Sequence, residues 1–192
     1  LLLDGYIPRA MDLREMHEVL NYKRFMDFLH DSLKEERVLS LDFIKEVHAV
    51  LCKGAIESVA GRFKQIPNIV VGADFVPTPP YLVPSELQNW LLDLAAQLAA
   101  AKSAEEKIAA ICRQHIRFER IHPFADGNGR VGRALIVYSC LQEKEAPIVI
   151  PVGERKRYMN YLNTEDLQGF VAFAKELQEK EEERLRLLCE KE

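Results

Sequence analysis

Apolar residues recur at helical spacing along most of the chain. From about Asp12 to Leu33 they appear as Leu13, Met16, Val19, Leu20, Phe25, Phe28 and Leu29, the three-and-four step of a helix with one buried face. Ser40 reads as the N-cap of a second helix carrying Leu41, Ile44, Val47, His48 and Leu51, which ends before Gly61. A third opens at Pro84-Ser85 and sets Leu87, Trp90, Leu91, Leu94 and Leu98 on one face. Ser103 and Glu106 have capping-box spacing and start a fourth, with Ile108, Ile111, Cys112, His115 and Ile116, ending near Ile121. It stops there because Pro123 disfavours α geometry at His122. A fifth begins near Gly129 or Arg130, with Val131, Ala134, Leu135, Tyr138 and Leu141 at core spacing. Residues 147–151 are a short extended piece. Two final helices follow, about Glu154–Leu162 and Asp166 to the end, the latter highly charged and solvated from Glu179.

One stretch breaks this texture. Ile66 to Pro84 holds five prolines and no helical period. Ile69-Val70-Val71 and Phe75-Val76 favour strands around the turn-like Gly72-Ala73-Asp74, which predicts a short hairpin over about 66–80. An isolated hairpin is weak, so it must lie on the helical body or await a partner strand. No internal repeat is present. The expected fold class is all-α (mainly α): one domain over residues 1–192, a helical bundle with one short β-hairpin. Leu1 to Pro8 read as the tail of a preceding element with a turn at Asp4-Gly5. The chain begins at Leu1 rather than Met, so something upstream is expected.

Composition narrows the function. The chain has 192 residues, 48% of them hydrophobic and 29% charged, with a net charge of −4. That balance argues against nucleic-acid binding and polybasic membrane binding by this domain. No apolar run approaches the roughly 20 residues that span a bilayer. No basic flank with a small-residue cleavage site is read at the start. Cys52, Cys112, Cys140 and Cys189 are far apart and form no CxxC pair, so they read as ordinary helix residues without disulfides or zinc. A cytoplasmic location is the resulting expectation.

The candidate chemistry lies in His122-Pro123-Phe124-Ala125-Asp126-Gly127-Asn128-Gly129-Arg130-Val131-Gly132-Arg133. Gly127 and Gly129 permit backbone conformations that aim several N–H groups at one spot, the N-terminus of the fifth helix, where the unpaired N–H groups and the dipole favour anions. Arg130 and Arg133 are three apart and share a face, and planar guanidinium groups suit phosphate oxygens. Asp126 beside such a site would be repelled by phosphate unless a cation intervenes, and a carboxylate next to a di- or triphosphate is the usual holder of Mg²⁺. A neutral His122 can take a proton from an incoming hydroxyl. Together these make a phosphoryl- or nucleotidyl-transfer site. The spacing is not a Walker P-loop, since no GxxxxGK[ST] is present. His115, one turn back, reads as a packed helix residue rather than a second base.

HPFADGNGRVGR resembles the HxFx(D/E)GNGRxxR signature of the Fic/Doc family, with every defined position met. Glu18-Val19-Leu20-Asn21-Tyr22 is similar to the EVLNY-type helix of Fic proteins. Gly61-Arg62-Phe63 through Asn68 resembles the segment leading into their flap, and Tyr158 with Leu162 resembles the downstream YxxxL helix. The resemblance implies the all-α Fic fold, ATP as co-substrate, Mg²⁺, and transfer of AMP to a Ser, Thr or Tyr hydroxyl of a target protein. It implies His122 as base, Asp126 as Mg²⁺ ligand, the Gly127-Asn128-Gly129 backbone and Asn128 side chain as anion hole, Arg130 at the β-phosphate and Arg133 at the γ-phosphate. Phe124 would anchor the loop by packing. The flap, including Ile69, Val70, Val71 and Gly72, would add the target as a strand. Tyr158 to Asn163 would face the base end of the nucleotide. Self-modification and homodimerisation are the further partnerships the resemblance implies.

Many Fic proteins carry an inhibitory (S/T)xxxE(G/N) helix whose Glu pairs with the last arginine of the motif. Ser139 and Glu143 have that spacing, but Lys144 follows, within the motif helix. Leu1 to Gly5 resembles the stretch just downstream of an N-terminal inhibitory helix, so the expectation is that this helix is missing and Arg133 is free for the γ-phosphate. AMP removal, another phosphoryl or nucleotidyl transfer, and a non-catalytic nucleotide-binding toxin–antitoxin module are the alternatives. Gly129 argues against the Doc-like kinase variant, which typically lacks the second glycine.

Overall fold

The structure, a computed structural model, describes residues 13–54 and 57–189. The Leu1–Pro8 segment lies outside them. Seven helices are described: α1 (Leu13–Lys34), α2 (Leu41–Cys52), α3 (Val83–Ala100), α4 (Ala104–Ile121), α5 (Asn128–Gln142), α6 (Arg155–Thr164) and α7 (Leu167–Cys189). Short 3-10 turns lie at 57–59, 80–82 and 152–154. Among the described residues no strand is present, and no helix is long and apolar enough to cross a membrane.

Local chemistry sets the helix starts as expected. The Ser40 hydroxyl accepts from the Phe43 N–H at 3.1 Å, and that of Ser103 accepts from the Glu106 N–H at 3.2 Å. The Glu106 carboxylate reaches back to the Lys102 N–H at 2.6 Å, one residue before the usual capping-box donor. α5 starts at Asn128, one turn position earlier than the apolar pattern indicates.

α4 and α5 form the centre, with α3 and α7 against α4 and with α1 and α2 beside α5. Phe43, Phe118, Phe124, Tyr138, Phe170 and Phe173 are all fully enclosed in the core between them. The Trp90 indole N–H donates to the Gln114 carbonyl at 2.6 Å, so its one polar atom is satisfied inside that core. Cys52, Cys112 and Cys140 are buried free thiols, and burial pushes the Cys112 and Cys140 pKa values up. They pack as small apolar groups.

The hairpin expected over 66–80 does not form. Val70 to Ala73 makes a single turn, closed by the Ala73 N–H on the Val70 carbonyl at 3.2 Å, with Gly72 at φ +81°. No ladder flanks it. Pro67, Pro77, Pro79 and Pro80 remove N–H donors, and two strands without a third have little to hold them. The segment is pinned from outside instead. The Asn163 amide donates to the Gly72 carbonyl at 3.0 Å, Thr78 N–H donates to the Arg120 carbonyl at 3.4 Å, and the Arg120 guanidinium sits 4.5 Å from the Phe75 ring centre. Ile69 and Val71 remain 84% and 90% exposed, so both stay open to a partner.

Candidate active site

The turn between α4 and α5 carries the motif, and its shape follows from its residues. His122 caps α4 in the left-handed region, φ 50° and ψ 60°, because Pro123 closes the right-handed one. Its Nδ1 lies 3.1 Å from the Glu119 carbonyl. A carbonyl only accepts, so Nδ1 carries the proton and Nε2 is left as the basic nitrogen. Burial lowers the His122 pKa, with the Lys64 charge adding to the effect. The neutral imidazole that a general base needs is therefore the favoured form.

Asn128 holds the loop closed. Its side chain accepts from the Phe124 N–H at 2.7 Å and donates to the Phe124 carbonyl at 2.8 Å. The amide oxygen and one amide N–H are thus spent inside the loop, on a residue only 2% exposed. Gly127 is the helix N-cap at φ +81°, and a Cβ there would lie 2.8 Å from the Cys52 sulfur. Only glycine combines that dihedral with that approach. No side chain caps the first N–H groups of α5, which face the cleft.

The loop is braced by residues far away in sequence. The Gly61 N–H donates to His48 Nδ1 at 2.8 Å, which forces the proton onto Nε2, and Nε2 donates to the Asp126 carbonyl at 3.0 Å. The same imidazole stacks on the Phe124 ring, centroids 3.8 Å apart and 1° from parallel. From the other side, Lys64 N–H donates to the Pro123 carbonyl at 2.9 Å and its Nζ to the Asn68 side-chain oxygen at 2.7 Å. The Asn68 amide then donates to the Phe124 carbonyl at 2.9 Å. Burial lowers the Lys64 pKa to about 8. Asn68→Ala removes partners from both Lys64 and Phe124. It should cost about 1–3 kcal/mol, the penalty for leaving such groups unpaired. Chemical denaturation measures this, and an unchanged midpoint would rule the brace out.

The EVLNY segment also has a physical role. The Asn21 amide, fully buried, donates to the Leu51 and Lys53 carbonyls at 3.2 and 2.7 Å and so closes the C-terminal end of α2. Glu18, one turn before it, pairs with Arg130 at 3.2 Å.

His122, Asp126, Gly127, Asn128, Gly129, Arg130, Arg133 and Tyr158 come together around one cleft of about 540 Å³, within the range of small-ligand sites. Val70 and Phe75 form part of its rim, whereas Ile69, Val71 and Gly72 lie outside the lining. Tyr158 forms floor rather than wall. It is 3% exposed, and its hydroxyl lies 2.7 Å from His115 Nε2. Among the described residues no cluster of three His, Cys, Asp or Glu side chains is arranged to hold a metal. A cation at Asp126 would therefore take its other ligands from phosphate oxygens and water, which is how Mg²⁺ is commonly bound, and a carboxylate placed beside the open N-terminus of α5 fits that.

Residues 38–140 match the Fic/DOC family. The chain belongs to that family. The chain is 29% identical over 181 residues to the protein adenylyltransferases fic-1 of Caenorhabditis briggsae and Caenorhabditis elegans, covering 90% of this chain. It is 26% identical over 171 residues to the protein adenylyltransferase Fic of Drosophila virilis. The chain spans about a third, 34%, of the length of these curated relatives. Among solved structures, Fic-1 (aa134 - 508) from C. elegans superposes with a TM-score of 0.82 at 25% identity, over 99% of this chain and 56% of that one. A Fic domain containing signaling protein from Bacteroides thetaiotaomicron shares the fold, with a TM-score of 0.78 at 22% identity over 93% and 72% of the two chains. The all-α Fic fold is thus that of this chain.

The sequence reading missed His48, Lys64, Asn68 and Glu119 as parts of the Fic site. His48 and Glu119 sit on helices at positions that packing alone would explain. Gly132 was the available signal for Glu119, because a Cβ on Gly132 would lie 2.2 Å from the Glu119 carboxylate oxygen.

Proposed function

We propose that this Fic domain transfers AMP from ATP to a hydroxyl side chain of a target protein. The observation that carries the proposal is the geometry of His122, whose Nδ1–H is held by the Glu119 carbonyl so that a neutral Nε2 serves the cleft containing Arg130, Arg133 and the open N-terminus of α5. The kinship with proteins named adenylyltransferases supports the same reading. Nε2 takes the proton of the acceptor hydroxyl, and its oxygen bonds to the α-phosphorus. The bond from that phosphorus to the bridging oxygen breaks, and pyrophosphate leaves. The N–H groups of residues 128 and 129 at the start of α5 and the two guanidinium groups stabilise the charge on the phosphates, while the Gly127 N–H donates to the Asp126 carboxylate at 2.6 Å. Asp126 would hold Mg²⁺, whose chemistry there is charge neutralisation between phosphates. The exposed residues Ile69 and Val71 offer the acceptor segment an edge to lie along.

Incubation of the chain with ATP and a candidate target, read by intact mass, tests this. The expected product gains an adenylyl group, on the target or on the chain itself. A gain of phosphate alone, or loss of AMP from a pre-modified target with no forward transfer, would replace the proposal with another reaction.

A further inference from the structure

The cleft that holds Arg133 also holds a carboxyl group that the motif does not include, and the Arg133 charge acts on it. Glu119 is 7% exposed, near the end of α4, and lines the cleft. Its Oε1 has no hydrogen-bond partner. The titratable groups that face it are His115 from its own helix at 3.9 Å, Arg133 from α5 and Tyr158 from α6. His115 does not compensate it, because burial and the Arg133 charge lower the His115 pKa to about 3 and its Nε2 is engaged with Tyr158. Arg133 also interacts with the Tyr158 hydroxyl. The absent Cβ at Gly132 makes the space in which the carboxyl sits. A carboxylate enclosed in this way, with the Arg133 guanidinium as the cation acting on it among the described residues, must draw on that guanidinium when ionised.

We propose that Glu119 is the internal counter-charge of Arg133, and that it sets how tightly Arg133 holds the terminal phosphate of a bound nucleotide. This rests on the reading of the cleft as an ATP site. An ionised Glu119 competes with phosphate for the same guanidinium, and a protonated Glu119 releases it. Bringing a polyphosphate to Arg133 places negative charge near Glu119 and favours its protonated form, so binding takes up a proton. Burial has already raised the Glu119 pKa to about 7, so the competition falls within the physiological range. Glu119 is thus a positioning residue acting through Arg133, while its backbone carbonyl orients His122 from the same turn.

The test compares calorimetric affinities for ATP and AMP in wild type, Glu119→Gln and Tyr158→Phe, at about pH 6 and about pH 8, either side of the Glu119 value. Glu119→Gln keeps the shape and never ionises. At the higher pH it should bind ATP roughly tenfold more tightly than wild type, the factor carried by one pKa unit. The two should converge at the lower pH. AMP, without the outer phosphates, should show no difference. Buffers of different ionisation enthalpy should report proton uptake on ATP binding by wild type and less by the variant. Tyr158→Phe should keep the pH dependence, because Glu119 remains. The nucleotide's own ionisation is common to all variants and cancels. Equal ATP affinity of wild type and Glu119→Gln at both pH values overturns the inference alone. A wild-type chain that binds no ATP at either pH overturns the ATP-site reading with it.

Discussion

His122→Ala should abolish nearly all AMP transfer while leaving ATP bound. The imidazole is the only group of the motif turn placed to accept the hydroxyl proton, and a positioned base contributes about 10²–10⁴-fold to rate. On the proposed reading the phosphate contacts would come from the backbone at the start of α5, Arg130 and Arg133, which line the same cleft as His122. Single-turnover rates with ATP titrations separate the two effects. A parallel loss of affinity and rate would make His122 a binding residue instead. The pH dependence has a definite sign. Burial disfavours the imidazolium, so the neutral base persists below the ordinary histidine value of about 6.5. At saturating nucleotide the rate should stay level as pH falls through that value and decline only below it. A rate already halved above it would contradict the buried, neutral assignment.

Phe124→Ala should be the most destabilising change in the motif. The ring is fully buried, stacked on His48 and tilted against Phe63 at 5.5 Å. Truncation of a buried phenylalanine costs about 3–5 kcal/mol. That is a large fraction of the roughly 5–15 kcal/mol that holds a domain folded. The effect should reach the chemistry, because the Phe124 backbone is the shared partner of Asn128 and Asn68. Phe124→Leu should lose less stability, since an apolar body still fills the space. Urea denaturation of both variants measures this. A Phe124→Ala loss below about 1 kcal/mol would mean that the loop is held by its hydrogen bonds alone.

The two predictions differ in how visible their residues were. His122 and Phe124 stand in a motif whose local chemistry is self-contained: a proline that stops a helix, glycines that turn, and a helix start that gathers N–H groups. Ser40 and Ser103 were legible for the same reason, since a cap acts on residues three positions away. The segment at 66–80 was misread as a hairpin because strand pairing depends on a partner, and its β-prone residues are held instead by Asn163 and Arg120. The family resemblance places the Asn128 side chain at the anion hole, and the structure adds that its amide oxygen and one N–H also hold the Phe124 backbone.

The sequence by itself determined the helices, the stop at His122 and the order of chemical groups from His122 to Arg133, because each of these is settled by neighbours within a turn or two. Only the tertiary structure decided what those groups rest on. His48 reaches the Asp126 carbonyl across 78 residues, Asn68 reaches Phe124 across 56, and Glu119 shares a cleft with Arg133 where Gly132 leaves room for its carboxyl. Arg133, for which the sequence offers no acidic partner, shares its cleft with the buried Glu119 carboxyl. Burial, which no local pattern specifies, raises the pKa of that carboxyl to about 7.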